Sequence, residues 1–305
     1  MSPQIQPHAT QQTLRKFVTD PLFLIFVILY GLALSGVAVA APEEWYPTLF
    51  LAAGVITVSA VILYIFRGYT PPPVKCVRPQ PELRAAVIWF LCVFILAVLT
   101  DARGIEAVNG FTNWILLFCI PLVFLHSTRR HEPLSETCKS VGLHRHGLPT
   151  AVKIALFSAL LFLPFILLSV NPQQRIEILD VFCTSRVLIA FPLSFLLALL
   201  LAGFTEEFFF RGILQSRIAA ATGSELQGLI AASLLFGVLH LPHAYLLPTW
   251  PTYGNAVWSL ASVMTEYAIT GALLGVLWVK THNLAAPVLV HGVVNALVLM
   301  ASVSI

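Results

Sequence analysis

Charge is the scarcest feature of this chain. Asp, Glu, Lys and Arg make up 10% of its 305 residues, where a soluble domain carries about 25%. With 58% hydrophobic residues and a mean hydropathy of +0.87, the composition excludes a water-soluble globule and reads as a polytopic membrane protein. The excess of positive charge is small as well. A net charge of +3 from scattered basic residues leaves no electrostatic footprint for a nucleic acid, and no nucleic-acid partner is expected. Cysteines are few and far apart: Cys76, Cys92, Cys119, Cys138 and Cys183 form no CxxC pair, which excludes a disulfide framework or cysteine metal knuckle. HExxH is missing, and with it the helix that sets two histidines on one zinc. No internal repeat or low-complexity tract is present. The first apolar run lacks a clear cleavage site, so it is read as a retained span rather than a signal peptide.

What the chain has is apolar runs. A bilayer-spanning helix needs about 20 mostly apolar residues. Runs of that kind lie at 22–41, 47–66, 85–100, 111–126, 152–170, 187–205, 227–247, 256–279 and 284–303, the third and fourth being short. An all-α bundle of about nine spans is therefore expected, with the sixth helix continuing through Arg211 towards Ala220. With the N-terminus in the cytoplasm, 14 Lys and Arg residues fall in inside segments and 3 in outside ones, which the positive-inside bias favours. Arg15, Lys16, Arg129, Arg130, Arg211 and Arg217 are among the inside group. Polar residues within spans gather after about residue 186. This suggests an N-terminal membrane bundle, 1–150, and a C-terminal chemical core, 151–305, with a polar cavity among spans 6–9.

Three polar motifs interrupt those last spans. The first is Glu206-Glu207-Phe208-Phe209-Phe210-Arg211. Residues four apart share a helix face, so Glu207 and Arg211 meet, while Glu206 points about 100° away. One carboxylate is compensated and the other is free for general base work, unless both simply face a headgroup layer. The second is Phe236-Gly237-Val238-Leu239-His240, followed by Pro242 and a kink or loosening of the helix. His240 is read either as an inter-helix hydrogen-bonding group or as a participant in catalysis, and His243 as a supporting residue. The third is His291-Gly292-Val293-Val294-Asn295. Its i, i+4 spacing puts a ring donor and an amide on one face. That face could stabilise an oxyanion or clasp a neighbouring helix. Glu206 and His291 fall near the cytoplasmic face and His240 about 20 Å in, so tilt, a shifted boundary or a water-filled cavity must bring them together. Access from the cytoplasmic side is expected. Glu266, mid-span, is read first as a buried, protonated inter-helix hydrogen bonder, with pairing to a histidine or lining the cavity as the alternatives.

The three motifs, in this order on membrane spans, resemble the CaaX-protease and bacteriocin-processing (CPBP) family, also called the Abi or type II CaaX prenyl endopeptidase family. Its patterns EExxxR, FxxxH and HxxxN match EEFFFR at 206–211, FGVLH at 236–240 and HGVVN at 291–295. The likeness runs from near 186 to 303 and leaves the N-terminal 150 residues unsupported. It implies an intramembrane endopeptidase that acts on a membrane-anchored or lipidated polypeptide within the lipid bilayer. By matching position, Glu206 would activate water with His240 assisting. His291 and Asn295 would bind the oxyanion, and Glu207 and Arg211 would support them. No cofactor is expected; the alternative is Zn2+ held by Glu206, His240 and His291, a plausible ligand set. A proton-coupled transporter and a non-catalytic immunity or scaffold protein are the other classes considered. A bacterial inner membrane, with the N-terminus cytoplasmic, is the expected location.

Overall fold

The computed structural model describes residues 19–129 and 132–301. Arg15 and Lys16 of the expected cytoplasmic tail, Arg130, and the end of the ninth span at 303 lie outside them. Among the described residues the chain is all α-helix and turn, with no strand. We number the helices α1 Pro21–Ala40, α2 Trp45–Ile65, α3 Pro79–Asp101, α4 Trp114–Ser127, α5 Leu134–Lys139, α6 Leu148–Ser169, α7 Pro172–Phe182, α8 Val187–Thr222, α9 Glu225–Leu246, α10 Ala256–Thr281 and α11 Ala285–Ala301. Seven of them are long and apolar enough to cross a membrane, and α4 and α11 are shorter apolar helices. Each expected span has its counterpart. The third is fuller than its apolar run suggested, and the fourth remains short. The protein is a multi-pass integral membrane protein.

Local chemistry sets the helix ends. Asp20 accepts the amides of Leu22 and Phe23 at 2.9 and 3.3 Å, opening α1 just ahead of Pro21. Gly223, at φ 71°, ends α8 in the left-handed conformation that glycine adopts without strain. Ser224 then caps α9 through the amide of Gln227 at 3.3 Å. Pro242 does not end α9, which continues to Leu246. Outward faces remain apolar: Ile28, Leu32, Ile56, Ile88 and Leu160 are all exposed, as lipid contact requires.

α8 is the axis of the bundle. Its 36 residues span about 54 Å, well beyond the roughly 30 Å of hydrocarbon. Phe208 through Gln215 are all buried. The expectation that Arg211 and Arg217 are inside charges beyond the membrane face is therefore corrected: both are fully buried, and Arg129 is 4% exposed. Without those three, 11 of the 14 inside charges remain. Arg217 and Arg129 converge on Glu82 of α3, each at 2.9 Å. Arg217 also donates to the Ser140 carbonyl at 2.7 Å. Charges are stable at such burial only when paired and hydrogen-bonded.

The expected mismatch in depth also disappears. Glu206 lies sixteen residues before Thr222 and His240 sixteen after Ser224, so each stands about 24 Å from the corner between α8 and α9. α11 begins part-way up, with Leu284 beside Gly212 and Gly292 beside Gly203. His291 thereby comes level with the two glutamates. Placing the end of span six at 205 was the source of the discrepancy.

The corner between α10 and α11 is tied to the proline-rich loop. His282, at φ 45°, donates from Nδ1 to the Pro72 carbonyl at 2.8 Å and places Nε2 3.4 Å from Glu225. Burial disfavours the charged ring, but Glu225 and the Pro72 carbonyl outweigh it and raise the His282 pKa above its ordinary value.

Candidate active site

Two π-helical turns in α8, Leu199–Gly203 and Phe208–Gln215, flank the short α-helical stretch Phe204–Glu207. Such turns widen a helix locally and re-aim its side chains. The backbones come close where they do so. A Cβ on Gly292 would meet Leu199 at 2.6 Å, and one on Gly203 would meet the Val288 carbonyl at 3.3 Å. α10 has its own π turn, Val263–Ala268, packed on the FGVLH segment of α9. A Cβ on Gly237 would lie 2.7 Å from the Val263 carbonyl. The glycines inside the second and third motifs therefore mark close approaches between helices that carry polar side chains.

Glu207 and Arg211 pair as their spacing predicts, Oε1 to Nη1 at 3.0 Å, with both side chains wholly buried. Arg211 also donates to the Gly271 carbonyl at 2.9 Å and lies 4.8 Å above the Phe236 ring. The same Glu207 Oε1 accepts His291 Nδ1 at 2.8 Å, a contact sequence spacing could not reveal because it crosses 84 positions. Arg211, Glu207 and His291 thus form one buried chain. Glu206 diverges from it, as expected. Its Oε2 stands 3.9 Å from His291 Nε2, too far for a direct hydrogen bond.

Glu206, His240, His291 and Asn295 line one cavity of about 550 Å3, while Glu207 and Arg211 stand behind its wall. His240 Nδ1 donates to the Phe236 carbonyl at 2.8 Å, which leaves Nε2 as the ring's acceptor. Tyr267 stacks on the imidazole at 4.1 Å between centroids. Phe236 touches both histidines edge-on or tilted, at 4.9 and 5.9 Å. The motif phenylalanine therefore walls the site rather than merely filling core. Tyr267 carries no sequence signal beyond its place beside Glu266.

Two expectations need correction. Glu266 is not a buried inter-helix hydrogen bonder: the π turn directs it into the cavity, where it is exposed. Nor does the cavity reach the end of the bundle that carries the α8–α9 and α10–α11 corners. Its lining includes Glu44, Asn171, Trp250 and Thr252, at the opposite end, because the last fifteen residues of α8 and their partners fill the corner end. His243 turns away from the cavity. It makes a close contact with Asp101 and donates from Nε2 to the Val108 carbonyl at 2.8 Å. It is a clasp between α9 and the end of α3. Among the described residues, no three His, Cys, Asp or Glu side chains stand together closely enough to hold a metal ion.

An acid and two imidazoles aimed into one cavity, with a second acid bracing one of the rings, can activate water and stabilise negative charge. No curated protein and no solved structure matches the chain. Residues 188–297, which hold all three motifs, match the model of a protein family described as Type II CAAX prenyl endopeptidase Rce1-like. Through that segment, the chain is similar to the Rce1-like family of CAAX prenyl endopeptidases.

Proposed function

We propose that this chain hydrolyses a peptide bond in a membrane-anchored or lipidated polypeptide, with water activated by Glu206. The observation that supports this most is the meeting of Glu206, His240, His291 and Asn295 on one cavity, with Arg211 and Glu207 bracing His291 from behind. Glu206 takes a proton as water attacks the scissile carbonyl, and His240 assists by accepting a hydrogen bond from that water at Nε2. The tetrahedral oxyanion is held by Asn295 and by His291. His291 can donate from Nε2 only when both ring nitrogens carry protons, with Nδ1–H directed at Glu207. Glu206 then delivers its proton to the leaving nitrogen, the C–N bond breaks, and a carboxylate and an amine depart.

The reaction so drawn needs no metal. Glu206, His240 and His291 remain the ligand set to which a zinc alternative would have to appeal, and no step is routed through it. The remaining loop charges favour a cytoplasmic N-terminus, which would place the cavity mouth on the non-cytoplasmic side of a bacterial inner membrane. Within the first 150 residues, α3 and α4 serve as a scaffold against α8.

The test is cleavage of membrane-anchored peptides by the purified protein, compared with Glu206→Ala, His291→Ala and Asn295→Ala, each with and without a chelator. Glu206→Ala should lose at least about a hundredfold in kcat/KM, with no effect of chelator on the wild type. Cleavage by Glu206→Ala at the wild-type rate would refute the mechanism. Inhibition by the chelator, reversed by added zinc, would replace it with the metal alternative.

A further inference from the structure

Apart from the His291 ring, which Glu207 answers from behind, the charge that lines the cavity is of one sign. Three carboxylates line it, from Glu44, Glu206 and Glu266, and among the described residues no Lys or Arg does. Glu206 is 9% exposed and, in the reaction above, is used on water. Glu266 has no part in that reaction. It stands on the π turn of α10, next to the tyrosine that stacks on His240, with its side chain open to the cavity. Glu44 is its charged neighbour. The basic residue closest in sequence to the mouth residues Asn171 and Gln174 is Arg175, and its guanidinium is engaged by the carbonyls of Leu167, Leu168 and Val170 at 2.7 to 3.1 Å. Among the described residues, neither it nor any other Lys or Arg forms an ion pair with Glu266. The rings of Trp250, Trp258 and Tyr267 line the same cavity, and aromatic faces attract cations.

We propose that Glu266 is a specificity-determining residue that selects a substrate carrying a Lys or Arg side chain close to the scissile bond. The inference rests on the hydrolase reading above and names its substrate class. Carboxylates shielded from bulk water by cavity walls interact strongly with a cation and repel an anion. A substrate whose free C-terminal carboxylate sat deep in this cavity would meet three acids. An internal segment bearing a cation would be complementary to them.

The experiment uses the full-length protein in detergent or vesicles, with membrane-anchored peptides that differ only in Lys, Gln or Glu at successive positions flanking the cleaved bond. Affinity is read separately from turnover by fluorescence anisotropy. For the best position, the wild type should favour Lys over Gln by about tenfold in kcat/KM, the ratio that about 1.4 kcal/mol gives. In Glu266→Gln, an isosteric change, that ratio should fall to about twofold or less. In Glu266→Lys it should invert in favour of the Glu peptide, so the charge of the side chain and not its bulk is what is read. Equal rates for all peptides in the wild type, or an undiminished Lys preference in Glu266→Gln, would overturn the inference while leaving the hydrolase intact. Glu266-dependent binding of the Lys peptide without cleavage would keep the inference and remove the hydrolase. Neither binding nor cleavage of any peptide would overturn both.

Discussion

Replacing Glu207 by Gln should separate two things that this one residue does. Its Oε1 accepts both Arg211 Nη1 at 3.0 Å and His291 Nδ1 at 2.8 Å, from a side chain with no exposure. Glutamine keeps the shape and can still offer an oxygen, but not the charge. Arg211 is then left as an uncompensated buried cation, a change that typically costs about 3–5 kcal/mol. His291 loses the anion that supports a proton on each nitrogen, and with it the Nε2–H aimed at the oxyanion. Removal of one oxyanion donor costs about a hundredfold to a thousandfold in kcat. The double variant Glu207→Gln/Arg211→Met distinguishes the two losses. Removing both charges together is often close to neutral for stability, so the melting temperature in detergent should recover much of the way while kcat stays low. Both quantities are measured on the same preparations, by thermal unfolding and by cleavage of an anchored peptide. Recovery of wild-type kcat in the double variant would show that Glu207 only holds the fold, and would refute its role in charging His291.

Three further outcomes follow from the geometry. Tyr267→Ala removes the ring stacked on His240 at 4.1 Å and should lower kcat about tenfold or more, whereas Tyr267→Phe, which keeps the stack, should stay within a few-fold; equal effects of the two on peptide cleavage would count against a positioning role. Gly237→Ala drives a methyl to 2.7 Å from the Val263 carbonyl and should cost about 1–3 kcal/mol in denaturant or thermal unfolding, and no loss would mean that α9 and α10 can separate freely. The folded pKa of His282 is raised above the unfolded value of about 6.5, so its contribution is complete below that pH and is lost as pH rises through the folded value. Glu225 is half-exposed, which limits the effect to about 1 kcal/mol or less. Melting temperatures taken from about pH 6 to about pH 8 should show this decline in the wild type and not in His282→Asn, which also tolerates the left-handed backbone.

Much of this architecture is legible in the sequence, because apolar runs of about 20 residues have few alternatives to spanning a bilayer. Nine such runs became nine helices, most with ends close to those of the run, although α3 begins at Pro79 and α8 runs on to Thr222. The pairing of Glu207 with Arg211 and the divergence of Glu206 were also legible, since both follow from local helical spacing. What spacing could not supply was anything carried by π turns or by contacts between distant helices. Glu266 reads as an ordinary buried acid until the turn at Val263–Ala268 aims it into the cavity. Arg211 and Arg217 read as inside charges on a helix continuing past the membrane face; that continuation is instead buried, with its charges answered by Glu207 and Glu82. Asp101, at the end of its helix, gave no sign of its partnership with His243, 142 positions away.

The Glu82 cluster bears on how the chain is made. Glu82 is wholly buried in the finished fold, yet Arg129 follows it by 47 residues and Arg217 by 135. At about 5–20 residues per second of synthesis, Arg129 appears roughly 2–9 s after Glu82, and Arg217 roughly 7–27 s after it. A carboxylate cannot sit unpaired in hydrocarbon for such times without cost. Arg129 is therefore suited to act as an interim partner that holds Glu82 at the membrane face until α8 arrives. The order of the charges along the chain then becomes an order of assembly, in which α3 and the end of α4 are joined before the helix bearing Glu206 reaches them.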